Sequence, residues 1–331
     1  MNKSTNKQRV FSGMRPSGKL HIGHFEGALK MWASLQDTYE CFYMVADWHA
    51  LTTEYADTSR IKEDSFQMVV DWLACGLSPE KSVIFRQSDV IEHAELYLLL
   101  SMLTPVSWLE RCPTYKEQIS EIKDKDLSTH GFLGYPVLQT ADIIIYKAQK
   151  VPVGQDQIPH LELSREICRR FNNFYGKIFP EPEPLLAEVS KLPGIDGRKM
   201  SKSYNNSIYL SDTEEGTLKK VKSMFTDPKK IKRDDIGHPD GCPVFLYQGI
   251  YNSDNTQQIS LDCKSGKLGC TICKESLGKE LNTVLEPIRE KRTKLLQNEN
   301  NIYEILENGS KKAKDIAQST LTQVRQAIGL R

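Results

Sequence analysis

The residues best suited to chemistry fall in two short runs. His21-Ile22-Gly23-His24 follows a loop of turn formers, Gly13-Met14-Arg15-Pro16-Ser17-Gly18, and opens a helical pattern. Gly23 has no Cβ, which lets a nucleotide lie against the helix, and a helix N-terminus favours an anion. His21 and His24 are three residues apart and project from one side. Both can donate hydrogen bonds to a phosphoryl group as charge builds on it. The residue order of a P-loop is absent. The second run, Lys199-Met200-Ser201-Lys202-Ser203, follows Pro193-Gly194-Ile195-Asp196-Gly197-Arg198. A hinged loop carrying Arg198, Lys199 and Lys202 can fold over a triphosphate and bind the charge that develops on departing pyrophosphate. Each run also has a plainer explanation. The histidines would serve as exposed helix caps, and the lysines as a solvated linker.

A third constellation is built on sulfur. Cys242, Cys263, Cys270 and Cys273 form the pattern C-x20-C-x6-C-x2-C. Cys270 and Cys273 have the spacing of a metal-ligand pair, and four thiolates suit either Zn2+ or a [4Fe–4S] cluster. Spacing does not decide between the two, and four free thiols are the alternative. Cys41, Cys75, Cys112 and Cys168 stand singly among apolar residues and read as small core side chains. Disulfides are not expected, because the chain reads as cytoplasmic. Its first nine residues are polar, unlike a signal peptide. Its longest nearly apolar run, 96–103, is far shorter than the ~20 residues that span a bilayer.

The 331 residues suggest about two domains. Charge is unevenly divided between them. Residues 199–331 carry 22 Lys+Arg against 17 Asp+Glu, and residues 1–198 carry 22 against 26. The basic excess peaks at Lys219, Lys220, Lys222, Lys229, Lys230, Lys232 and Arg233. Such a tract fits a nucleic-acid partner or an ordinary solvated helix face. Val10 and Phe11 lead as a strand into the glycine loop. Ile22, Phe25, Leu29, Trp32 and Leu35 then form one helix face. Residues 41–46 and 82–85 read as buried strands, 143–146 and 151–153 as further short β-rich runs, and 61–73, 91–103 and 161–171 as helices. Strands alternating with helices predict a parallel sheet covered on both faces. Pro180, Pro182, Pro184 and Pro193 mark a break, after which the pattern is helical. The expected fold is α/β, with a Rossmann-like catalytic domain over 1–195. An all-helical domain over 196–331 holds the lysine loop and the cysteine cluster.

The two runs, in this order on this scaffold, match letter for letter the HIGH and KMSKS signatures, and the chain resembles the class I aminoacyl-tRNA synthetases. Residues 11–18, 46–52, 135–143, 151–157 and 313–330 are similar to the tryptophanyl branch in particular. Gln155 stands where that branch often has Glu, and Thr140 where it often has Ala. The resemblance implies a two-step ligase. An amino acid attacks the α-phosphate of ATP, and the acyl group then passes to the terminal ribose of a tRNA. It implies catalytic roles for His21, His24, Lys199 and Lys202. ATP would be held by Arg15, Pro16, Ser17, Gly23, His24, Gly154, Gln155, Asp156, Val189 and residues 199–203, with Mg2+ bound mainly by phosphates and water. Tryptophan would lie in a slot lined by Phe11, Tyr135, Gln139, Val151 and Val153. His49 and Gln157 would stand near its ammonium and carboxylate, and Asp142 would accept the indole N–H.

A subset of bacterial tryptophanyl enzymes has a near-identical cysteine run holding a [4Fe–4S] cluster by the anticodon site. That resemblance favours iron–sulfur over zinc. It also implies a homodimer, anticodon recognition by the helical domain, and tRNA(Trp) as partner. The alternatives are a tyrosyl-tRNA synthetase, a HIGH-motif nucleotidylyltransferase that never meets tRNA, or a synthetase-derived binding protein without catalysis. Residues 47–50 and 139–142 favour tryptophan over tyrosine, and the intact His21, His24 and Lys202 favour catalysis.

Overall fold

A computed structural model describes residues 7–112, 115, 126–186, 192–201 and 204–330. Five strands form one parallel sheet in the order β3-β2-β1-β4-β5: β1 Arg9–Met14, β2 Glu40–Val45, β3 Ser82–Arg86, β4 Lys150–Val153 and β5 Glu183–Leu186. The apolar run of β2 is buried almost throughout, as a central parallel strand requires. β1 pairs along its whole length with β2, Phe11 opposite Phe42, and β2 pairs with β3, Tyr43 opposite Ile84.

Three elements differ from the sequence expectation. Residues 143–146 are not a strand. Ile143 and Ile144 finish the helix His130–Ile144, and Ile145 and Tyr146 follow it into the core. A short run of β-branched residues does not by itself distinguish a buried strand from a buried helix end. Conversely, the proline-rich stretch after 180 contains β5. Proline is tolerated there because β5 is an edge strand. The expected helix over 22–35 also contains an interruption, a π turn at Phe25–Leu29 between Ile22–His24 and Lys30–Leu35.

The chain divides into two compact units. The first contains residues 1–18, 28–188 and 298–331, and the second residues 19–27 and 189–297. This differs from a single boundary at 195. The long helix Glu299–Ala327 packs on edge strand β3 and on helices Glu92–Ser101 and Ile61–Ala74, all within the first unit. Its Ala313, Ala317, Leu321 and Val324 join the sheet core with Phe42, Phe85 and Leu96. The helix passes so close to β3 that a Cβ on Gly309 would collide with the Ile84 carbonyl. Ser310 donates to Asp89 at 2.9 Å, and Arg325 meets Glu95 at 2.5–2.7 Å.

The second unit is helical. Helix Cys270–Leu296 presents Leu277, Leu281, Leu285 and Ile288 at helical spacing and packs on Glu214–Ser223 and Pro243–Tyr251. Among the described residues no helix is long and apolar enough to cross a membrane.

Candidate functional site

The two signature runs meet inside the second unit. The Ile22 N–H donates to the Ile208 carbonyl at 3.0 Å, the Leu210 N–H to Leu20 at 3.0 Å, and His21 pairs with Tyr209 in an isolated antiparallel bridge. A Cβ on Gly23 would lie 2.9 Å from His21 Nδ1 and 3.6 Å from the Met200 sulfur. Glycine thus makes room for the His21 ring, and the Met200 sulfur stands at ordinary contact distance beside it. The His21 backbone N–H donates to His24 Nδ1 at 3.1 Å, and the two rings lie 3.8 Å apart. Acceptance at Nδ1 places the proton of a neutral His24 ring on Nε2, so that nitrogen presents a donor. The histidines therefore do cap the helix, and that cap orients the ring.

The lysine run is held by one side chain. Asn206 is 2 % exposed. Its Oδ1 accepts from the Ser201 N–H at 2.8 Å, and its Nδ2 donates to Asp196 at 2.7 Å and to the Lys199 carbonyl at 3.1 Å. Lys202, Ser203 and Val189 lie outside the described residues.

In the first unit the polar centre is Asp142, 1 % exposed on helix His130–Ile144. His49 Nε2 reaches its Oδ2 at 2.7 Å, and His93 Nδ1 its Oδ1 at 2.6 Å. Gln87 Nε2 lies 2.9 and 3.0 Å from its two oxygens. Gln87 is oriented by the Trp48 N–H, which donates to its Oε1 at 3.2 Å. Burial alone would raise the Asp142 carboxyl. The hydrogen bonds from His49 and His93, with the electrostatic attraction of the same two rings, outweigh it and hold the group at about 2. An ionised carboxylate offers about four acceptor sites. Gln87 straddles two of them, so by settling on one oxygen it leaves a site for a further N–H.

Tyr135, Gln139 and Asp142 form one stripe of that helix. Tyr135 sets its ring edge toward His49, with centroids 6.5 Å apart, and its hydroxyl lies 3.1 Å from His160 Nε2. Burial lowers the His160 imidazole against the pull of Asp156. Phe11 is buried on β1, stacked on Tyr146 at 5.6 Å, and Val151 is buried on neighbouring β4. Arg15 acts electrostatically on Tyr135. Gly154 begins the turn after β4, where a Cβ would lie 2.8 Å from Asp156 Oδ1. Gln155 and Asp156 are exposed there, and Gln157 and Val153 are half-buried.

The four clustered cysteines line one cavity of the second unit, with Val244, Ile259 and Leu268 among its apolar walls. Gly237 admits the Cys263 sulfur, which a Cβ there would strike. Burial pushes the Cys273 thiol up to about 11, and Cys242, Cys263 and Cys270 push the same way against a hydrogen bond from Gln248. Among the described residues no three His, Cys, Asp or Glu side chains converge tightly enough to hold a metal ion. The basic tract is also less uniform than its sequence. Lys220 is tied to Asp212 at 2.6 Å and lies over the Tyr209 ring, and Lys230 is buried against the Asp235 carbonyl. Lys219, Lys222, Lys229, Lys232 and Arg233 remain exposed.

The family model for class I tRNA synthetases (W and Y) matches residues 3–286. A tryptophan–tRNA ligase of Thermotoga maritima is 52% identical, with 97% of this chain and 99% of that protein covered. The chain belongs to the tryptophanyl-tRNA synthetases. The Aquifex aeolicus tryptophan–tRNA ligase is 46% identical over 97% of this chain and all of its own length. Among solved structures, a Campylobacter jejuni tryptophanyl-tRNA synthetase complexed with ADP and tryptophan superposes with a TM-score of 0.86. It is 35% identical, with 97% of this chain and 100% of that one covered.

For a tryptophanyl-tRNA synthetase, the sequence pointed to the two signatures and to Asp142, but not to the groups that hold them. Gln87, His93, Tyr146, His160 and Asn206 went unnoticed. Each is a polar side chain whose partners are 5 to 55 residues away. The available signal was weak: His93 interrupts an apolar helix, and Gln87 directly follows a buried strand.

Proposed function

We propose that this chain activates L-tryptophan with ATP and transfers it to the terminal adenosine of tRNA(Trp). The observation that supports tryptophan most directly is Asp142, a buried and ionised carboxylate whose three side-chain donors can make room for one more N–H. An indole N–H satisfies that acceptor. A site built around one buried polar group rejects molecules that lack its complement. Phe11, Tyr135, Gln139, Val151 and Val153 are assigned to the slot, and His49 and Gln157 to the polar end of the amino acid. His49 also donates to Asp142, which ties the two ends of the slot together.

To the triphosphate we assign His21, Gly23, His24 and residues 199–203 of the second unit. Arg15, Pro16, Ser17, Gly154, Gln155 and Asp156, together with Val189, are assigned to ATP as well. Donation by His24 Nε2 and by Lys199 and Lys202 stabilises charge on the phosphates, so no covalent enzyme intermediate is needed. Mg2+ accompanies ATP. Tryptophan-dependent exchange of pyrophosphate into ATP tests the assignment. Exchange with tyrosine in place of tryptophan, or no exchange with either, overturns it.

The four thiols that line one cavity are a donor set suited to a [4Fe–4S] cluster or to zinc, and the resemblance favours the cluster. Four sulfurs around one cavity suit a [4Fe–4S] cluster held by Cys242, Cys263, Cys270 and Cys273. Bound there, it would cross-link residues 242–273, a structural service. Anaerobically purified protein should contain about four iron atoms and four sulfides per chain. One zinc per chain and no iron would reverse the choice. The resemblance further supports a cytoplasmic homodimer whose helical domain, 196–331, reads the anticodon.

A further inference from the structure

Beside Asp142 stands a pair of groups not among those assigned to the amino-acid slot. His93 and Tyr146 are fully buried. His93 Nδ1 is 2.6 Å from Asp142 Oδ1, and its Nε2 is 2.7 Å from the Tyr146 hydroxyl. Among the described residues His93 is the one hydrogen-bond partner of that hydroxyl, so the phenolic proton points at Nε2. Nε2 then accepts, and the ring proton sits on Nδ1 and is donated to Asp142. The chain of donation runs one way, from Tyr146 through His93 to the carboxylate. Its far end is rigid. The Tyr146 ring stacks on Phe11 of β1 at 5.6 Å and on Phe42 of β2 at 5.0 Å, and meets Phe85 of β3 edge-on at 5.4 Å.

Because the sheet fixes Tyr146, and Tyr146 fixes the ring of His93, the direction of one Asp142 oxygen is set by three strands. Gln87 holds the same carboxylate more loosely, sharing one amide nitrogen between both oxygens. We propose that His93, held by Tyr146, is a specificity-determining positioning residue that keeps the Asp142 carboxylate aimed at a ring N–H of the bound amino acid. The proposal rests on Asp142 being the indole acceptor. A supporting group that merely stabilised the fold would affect all amino acids alike. One that aims the acceptor affects only those that carry the N–H.

The test uses the full-length enzyme in pyrophosphate exchange with two amino acids: L-tryptophan, and its isostere with sulfur in place of the ring N–H, 3-benzothienyl-L-alanine. The wild type should favour tryptophan in kcat/KM by on the order of 100-fold or more. Tyr146→Phe keeps the stacked ring and removes only the hydroxyl. It should lower that preference about 3–10-fold, through KM for tryptophan and with little change for the isostere. His93→Asn, which keeps a donor near Nδ1 and loses the link to Tyr146, should do the same. If both variants lose activity equally on the two substrates, or keep the wild-type preference while Asp142→Asn abolishes it, the positioning role is refuted and Asp142 stands. If the wild type itself shows no preference, the Asp142 assignment falls first. Where His93→Asn folds poorly, Tyr146→Phe carries the test alone.

Discussion

Replacing Gly309 with alanine sets two effects against each other. Gly309 lies within the 29-residue helix Glu299–Ala327. On propensity alone the change should stabilise that helix by about 1 kcal/mol. Against this, the new methyl would strike the carbonyl oxygen and carbon of Ile84 and crowd its nitrogen, all backbone atoms of β3. A strand backbone cannot turn aside as a flexible side chain can, and forcing a methyl into a packed contact costs about 3 kcal/mol at the upper end of the usual range. The net loss is about 2 kcal/mol, which for a unit of this size lowers the melting temperature by roughly 4–8 °C. Gly249 in helix Pro243–Tyr251 is the control, because a Cβ there meets nothing within 4 Å. Gly249→Ala should be neutral or slightly stabilising. The displaced helix also supports the site, since Ser310 holds Asp89 in the turn that carries Gln87. Thermal unfolding with pyrophosphate exchange on the same samples should therefore show Gly309→Ala melting lower, with a raised KM for tryptophan. A Gly309→Ala enzyme that melts at or above the wild type would refute the reasoning.

Three further outcomes follow from contacts described above. Asn206→Ala removes the side chain that holds Ser201, Lys199 and Asp196 together. It should slow adenylate formation about 10–100-fold while leaving tryptophan binding measured without ATP near wild type. The Asp142 carboxyl is held at about 2 against an ordinary 3.8, so its ionised form stabilises the fold by about 2 kcal/mol at neutral pH. Because the folded value is depressed, that contribution is complete above about pH 5 and is lost as the pH falls through 4 toward 2. The gap between wild-type and Asp142→Asn urea midpoints should close over that range, and a constant gap would contradict the assignment. Reversing the exposed charges of Lys229, Lys232 and Arg233 should weaken tRNA charging about tenfold or more at physiological salt without changing pyrophosphate exchange. Lys220 and Lys230 are excluded because their partners are internal.

The layers of the fold were legible in the sequence because central parallel strands and amphipathic helices leave periodic traces. Residues 41–46 show the one and 161–171 the other. Both signature runs were legible because their residue types are unusual at that spacing. What escaped has a common physical character. β5 was hidden because prolines on an edge strand look like a linker. Residues 143–146 misled because a helix that ends inside the core is as apolar as a strand. The partners of Asp142 come from three separate stretches of chain, and local pattern carries no record of such meetings. The return of residues 298–331 to the sheet is likewise a long-range fact: the periodicity of that helix shows an apolar face but not what covers it.

That return has a consequence for how the molecule is made. Residues 298–331 leave the ribosome only after all of 189–297, so the unit begun first is completed last. Until then the outer edge of β3 is uncovered, and the apolar surface awaiting Leu321 and Val324 stays wet. The nascent sheet is thus sticky during the synthesis of more than a hundred residues. Translation stalled in this interval would release a protein with an open edge, prone to pair with its own copies. Docking of the helix Glu299–Ala327 on β3 thus closes the sheet core only after the intervening unit has been made.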